Sequence, residues 1–112
     1  MKIKEIAHLL NAEVLCSPEH IEREVYSACG SDMMSDVLAF VKDQAVLITG
    51  LTNPQVIRTA VMMDMVCIVF VRDKRPTSEM LELATSQGIV ILATSKRMYE
   101  SCGLLYNAGL HA

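Results

Sequence analysis

Three short stretches of unbroken apolar residues, Ala45–Ile48, Val66–Val71 and Ile89–Ala93, constrain this chain more than any other feature. Such runs, bounded by turn-forming residues, read as strands buried on both faces, the mark of a parallel sheet. Helical patterns lie between them. Ser31 to Lys42 places Met34, Val37, Leu38 and Val41 on one stripe. Asn53-Pro54 is an N-cap followed by proline at the first helical position, opening a helix to about Asp64 with Val56, Ile57, Ala60 and Val61 inward. Thr77-Ser78 opens another, which Gly88 stops. Ser95 caps the last, whose stripe is Met98, Cys102, Leu105 and Tyr106. Gly103 sits inside that helix at roughly 1 kcal/mol against alanine, a loss usually tolerated where another backbone approaches closely. At the front, a helix with Ile3, Ile6, Ala7 and Leu10 on one face precedes a short strand near Glu13–Cys16, and Ile21 to Cys29 reads as extended.

Strand and helix thus alternate four times after a short front unit. Parallel strands joined by helices cross over right-handedly, so the expected fold is α/β: one three-layer α/β/α domain over residues 1–112 around a mainly parallel sheet. A chain of 112 residues, 52% apolar, can bury a core without disulfides or a structural metal and is not disordered. Ten Lys and Arg stand against 13 Asp and Glu, for a net charge of -3, which gives a phosphate backbone no electrostatic footing, and no nucleic-acid partner is expected. No run is long and apolar enough to span a membrane, and the front lacks the apolar stretch of a secretory signal, so a cytoplasmic setting is expected. Cys16, Cys29, Cys67 and Cys102 form no CxxC pair and no zinc spacing.

Ligands of open parallel sheets bind beyond the carboxyl ends of the strands, in a crevice where strand order reverses. The residues expected there are Gly30-Ser31-Asp32, Gly50-Leu51-Thr52-Asn53, Arg72-Asp73-Lys74-Arg75 and Thr94-Ser95-Lys96-Arg97, and five of the ten basic residues lie in the last two. Each segment leads into a helix N-terminus, which favours an anion. Gly30, Ser31, Asp32, Gly50, Thr52, Asn53, Arg72 and Lys74 are therefore the candidate residues for binding a phosphate, nucleotide or carboxylate. The same residue types also cap helices and make tight turns, and both readings stand at this point. Neither a P-loop nor a GxGxxG fingerprint is present. Asp32 and Asp36 could form half of a magnesium site, but a carboxylate in a first helical turn is explained by the dipole, so no metal is assigned. His8, His20 and His111 lie off the strand-end edge, and no nucleophile has a visible base, so no catalytic residue is assigned. Cys29-Gly30 and Cys102-Gly103 suggest either a redox role or buried thiols, and no cofactor is assigned to them.

Ser27-Ala28-Cys29-Gly30-Ser31-Asp32-Met33-Met34-Ser35-Asp36-Val37-Leu38-Ala39-Phe40 and Ile48-Thr49-Gly50-Leu51-Thr52-Asn53-Pro54-Gln55-Val56-Ile57-Arg58-Thr59-Ala60 resemble the DRTGG-domain family, as do Ile68–Pro76 and Cys102–Tyr106. The resemblance covers essentially the whole chain, in the form where the domain stands alone. It implies a fold similar to the N-terminal domain of HPr kinase/phosphorylase, and a non-catalytic role in regulation and subunit contact. Related copies occur within phosphate acetyltransferases and beside CBS domains in regulated pyrophosphatases, and the stand-alone bacterial type is similar to proteins encoded near iron-hydrogenase subunits. The namesake motif is not kept: Gly50-Leu51-Thr52-Asn53 stands in place of Gly-Asp-Arg-Thr, and Val71-Arg72-Asp73 in place of Thr-Gly-Gly.

The expected function is thus a regulatory or scaffolding module that forms a homodimer and senses a small anionic ligand. Met33, Met62, Met63 and Met65 are candidates for its contact surface, with core filling the competing explanation. One alternative is an accessory subunit of an iron-hydrogenase or related redox complex. Another is a phosphoryl- or acyl-transfer enzyme using Asp32 as base and Arg72 or Lys74 as charge clamp.

Overall fold

In a computed structural model the described residues are 1–40 and 44–111, without the Phe40 side chain. Helix α1 (Ile3–Leu9) leads to strand β1 (Glu13–Cys16), followed by a 3-10 turn at Pro18–His20 and then β2 (Ser27–Gly30), α2 (Met34–Phe40), β3 (Ala45–Thr49), α3 (Pro54–Met62), β4 (Cys67–Phe70), α4 (Ser78–Ser86), β5 (Val90–Ala93) and α5 (Met98–Asn107). The sheet order is β1-β5-β4-β3-β2. Four strands run parallel, and β1 alone is antiparallel, pairing Glu13 with Ala93 and Val14 with Leu92 before a bulge. Every apolar run read as a strand is one, and β3, β4 and β5 are buried throughout.

From β2 to β5 the strands step across the sheet in one direction, so crossovers of one hand put their helices on one face. Met34 and Val37 of α2, Val56, Ile57 and Ala60 of α3, and Met80 and Ala84 of α4 accordingly share a core with Leu47, Ile68, Phe70 and Ile91. The other face packs Ile3, Ile6 and Leu10 of α1 and Leu105 of α5 against Val46, Ile48, Val69 and Leu92. The result is the three-layer α/β/α arrangement.

Local departures have physical causes. On α3, Thr59 rather than Val61 faces the core, and Val61 is 38% exposed. Leu38 of α2 faces solvent, while Val41 and Lys42, expected to close that helix, lie outside the described residues. Helix α5 begins at Met98 with Arg97 as its N-cap, not at Ser95, and Tyr106 points outward. Nothing lies within 4 Å of a Cβ built on Gly103, so no backbone of this chain approaches it. The segment before β2 is bonded to the N-terminus instead of extending the sheet: Ile3 N–H donates to the Arg23 carbonyl (3.1 Å), and the Met1 ammonium meets Glu24 at 3.0 Å.

Candidate functional site

The carboxyl ends of β2, β3 and β4 meet in one cluster around Asp32. The Asp32 residue follows β2 before α2 begins, so it is not on the helix that carries Asp36, and the two carboxylates do not share a helical face. Asp32 Oδ1 accepts hydrogen bonds from the Thr49 hydroxyl (2.9 Å) and from Gly50 N–H (2.8 Å) at the end of β3. Thr49 Oγ1 in turn accepts from Leu51 N–H at 3.1 Å. Asp32 Oδ2 faces the Arg72 guanidinium at 4.0 Å, a long ion pair between half-exposed side chains. The guanidinium lies over Gly50, where a Cβ would collide with it. Thr49 is the residue that sequence reading missed; its signal is a hydroxyl ending an otherwise apolar run just before glycine.

Of the remaining candidates, Ser31 Oγ accepts from Met33 N–H (2.9 Å) and Asn53 Oδ1 from Gln55 N–H (2.9 Å), so both act as caps and turn-formers. Gly30 is needed for packing, because a Cβ there would stand 2.6 Å from Cys102 Sγ. Thr52 is half-buried and Lys74 exposed. Arg75 is paired with Glu13 at 2.8 Å and Lys96 with Glu100 at 3.7 Å, whereas Lys74 and Arg97 have no ion pair among the described residues.

The expected crevice is absent between β4 and β5, the point where the following helices change faces. Arg72 N–H donates to the Lys96 carbonyl (2.8 Å) and Asp73 N–H to the Thr94 carbonyl (3.0 Å), closing the two loops together. Arg72 and Asp73 both take the left-handed backbone conformation, each with φ of 58°. A wider concavity of about 530 Å³ lies far from these residues, between α1 and the end of α5, lined by Met1, Lys4, Glu5, His8, Leu9 and Ala108.

Cys29 packs with the core of one sheet face and Cys102 with that of the other. Burial pushes both thiols above the usual range, and for Cys29 the neighbouring Cys102 and Asp36 add to the effect. Cys67 is fully buried and pushed higher still. A thiol raised in this way is a poor nucleophile and metal ligand. Among the described residues no group of three or more His, Cys, Asp or Glu could hold a metal ion. No helix among them is long and apolar enough to cross a membrane.

Asp32 and Arg72 are near enough for the base-and-clamp chemistry of a transferase, but the carboxylate is already an acceptor for two donors and faces a cation. The arrangement holds charges of both signs in place and leaves Arg72 and Lys74 accessible.

A structural comparison finds the crystal structure of the CBS and DRTGG domains of the regulatory region of Clostridium perfringens pyrophosphatase, complexed with the activator diadenosine tetraphosphate. The TM-score is 0.76 at 18% identity, over 93% of this chain and 45% of that one. The likeness is therefore one of fold, and this chain spans less than half of that regulatory region. A search of curated proteins finds no match. The family model for the DRTGG domain matches residues 5–108, from α1 to the end of α5, so the chain belongs to the DRTGG-domain family.

Proposed function

We propose that this chain is a non-catalytic regulatory or scaffolding module that self-associates and takes a small anion, phosphate or the phosphate of a nucleotide, where Asp32, Gly50 and Arg72 meet. The observation that carries the ligand half is the conformation of Arg72. Two consecutive non-glycine residues in the left-handed region, Arg72 and Asp73, cost about 1–2 kcal/mol each, and such strain concentrates at ligand clamps. Here it folds the guanidinium back over the end of β3 beside Asp32. Lys74 supplies a second cation at the same edge. Asp32 occupies the Gly50 N–H, so an incoming anion competes with it. Regulation by a nucleotide is supported by the structural neighbour, a regulatory region bound to a phosphate-rich activator. A redox-complex subunit is the alternative partner, met through a surface and not through a cluster, because Cys29 and Cys102 belong to opposite faces of the sheet.

The test is thermal unfolding against inorganic phosphate and a panel of nucleotides. A ligand at one hundred times its Kd adds about 2.7 kcal/mol, a rise of roughly 10 °C for a domain of this size. Arg72→Ala and Lys74→Ala should abolish the rise. Asp32→Asn, which keeps an acceptor for Gly50 and removes the competing charge, should enlarge it. No response to any phosphate compound would overturn the ligand half of the proposal.

A further inference from the structure

Helix α5 carries two apolar stripes, and the fold covers only one. Ser101 and Leu105 are buried against the sheet, with Met98 half-buried beside them. A second stripe, Tyr99, Cys102, Gly103 and Tyr106, follows i, i+3, i+4, i+7 spacing and faces away from the core. Tyr99 is 93% and Tyr106 65% exposed. Glu100 is the only charged residue within the helix. The Tyr106 ring is held in place by His111, with ring centroids 4.2 Å apart, so it is offered as a rigid anchor and loses little freedom on binding. Gly103 destabilises its own helix and meets nothing of its own chain, which leaves close approach by another chain as the physical use of a missing side chain.

The stripe is continuous with an open sheet edge. Ala28 and Gly30 of β2 line one small hollow with Cys102 and Tyr106, and those two residues line the next with Tyr99 and Gly103. The two sheet edges differ. β1 has a bulge and the charged Glu13, devices that discourage pairing. β2, Ser-Ala-Cys-Gly, has no charge, no proline and a regular register.

From this juxtaposition we infer that the β2 edge and the outer stripe of α5 form one self-complementary surface that docks a second copy of this chain about a two-fold axis. The inference rests on the self-association proposed above and assigns it a place. A two-fold contact sets each patch against itself, and this stripe brings no like charges together, although the chain carries a net charge of -3. The area suffices. Tyr99, Tyr106 and Tyr26, the last 66% exposed just before β2, cover on the order of 150 Å² each when buried. With the small residues between them this gives roughly 600 Å² a side, near the 1,200 Å² total at which specific interfaces begin.

The experiment is sedimentation equilibrium of the full chain at 1–100 µM (roughly the span in which an interface of this size dissociates), for wild type and three variants. Gly103→Lys places a long charged side chain where nothing of the monomer stands and replaces glycine by a better helix former, so loss of the dimer cannot come from failure to fold. Tyr106→Glu removes the anchor, and Met62→Glu charges the exposed end of α3 as a control. The expected result is a wild-type dimer whose dissociation constant rises at least tenfold in Gly103→Lys and Tyr106→Glu and is unchanged in Met62→Glu. A dimer insensitive to both α5 variants would overturn this surface and leave self-association standing. A wild-type monomer at the highest concentration would overturn both.

Discussion

Gly50 shows how a single missing side chain organises the strand ends. With a Cβ in its place the Arg72 guanidinium would have to leave the end of β3, and with it the approach to Asp32. Glycine after an apolar run is legible in a sequence, as is a basic residue after the next strand. That Asp32 would be the acceptor for Thr49 and Gly50 is not, because the bond spans seventeen residues of chain and depends on strand adjacency. Cys67 gives the residue-scale prediction. Its thiol is buried and its folded pKa raised, so it stays neutral when the unfolded thiol, with a pKa near 8.5, ionises. This contribution is fully present below that pH and is lost as pH rises toward the folded value, at about 1.4 kcal/mol per pH unit. Urea unfolding between pH 7 and 9.5 should show stability falling, and Cys67→Ala should flatten the fall; an equal slope in both would contradict the assignment.

At the scale of elements, the helices were readable wherever chemistry fixes their ends. Asn53 caps α3 and Thr77 caps α4, each through its side-chain oxygen, and proline follows Asn53 where a first turn has no use for its N–H. Inward faces were less secure. Thr59 is buried on α3 with its hydroxyl unpartnered among the described residues, an arrangement that apolar periodicity would never select. The outer stripe of α5 mixes with the inner one in the sequence, so Tyr106 reads as core until the helix is seen against the sheet. Among the methionines proposed for a contact surface, Met62 and Met33 are exposed but Met65 is buried. The capping account predicts that Asn53→Ala destabilises the protein by about 1 kcal/mol, visible as a shift of the urea midpoint with unchanged slope. Asn53→Asp should restore it, and a neutral alanine variant would show that Pro54 and packing alone fix the start of α3.

The whole molecule is a sheet built in one direction, with three crossover helices on one face and the terminal helices on the other. The apolar runs made that architecture legible, since a strand buried on both faces needs a helix layer on each. The strand-end crevice was expected from the general behaviour of parallel sheets and failed for a topological reason: the helices change faces at β4 and β5, where backbone bonds from Arg72 and Asp73 join the loops. The charged cluster lies one strand away, between β2, β3 and the Arg72 loop. The central claim, an anion held at that cluster, is tested most directly by amide chemical-shift mapping as phosphate or a nucleotide is added to the labelled chain. The account predicts shifts concentrated at Gly50 to Asn53 and Arg72 to Lys74, lost in Arg72→Ala. Saturable binding that moves other amides and leaves these unchanged, or no saturable shift at all, would contradict it.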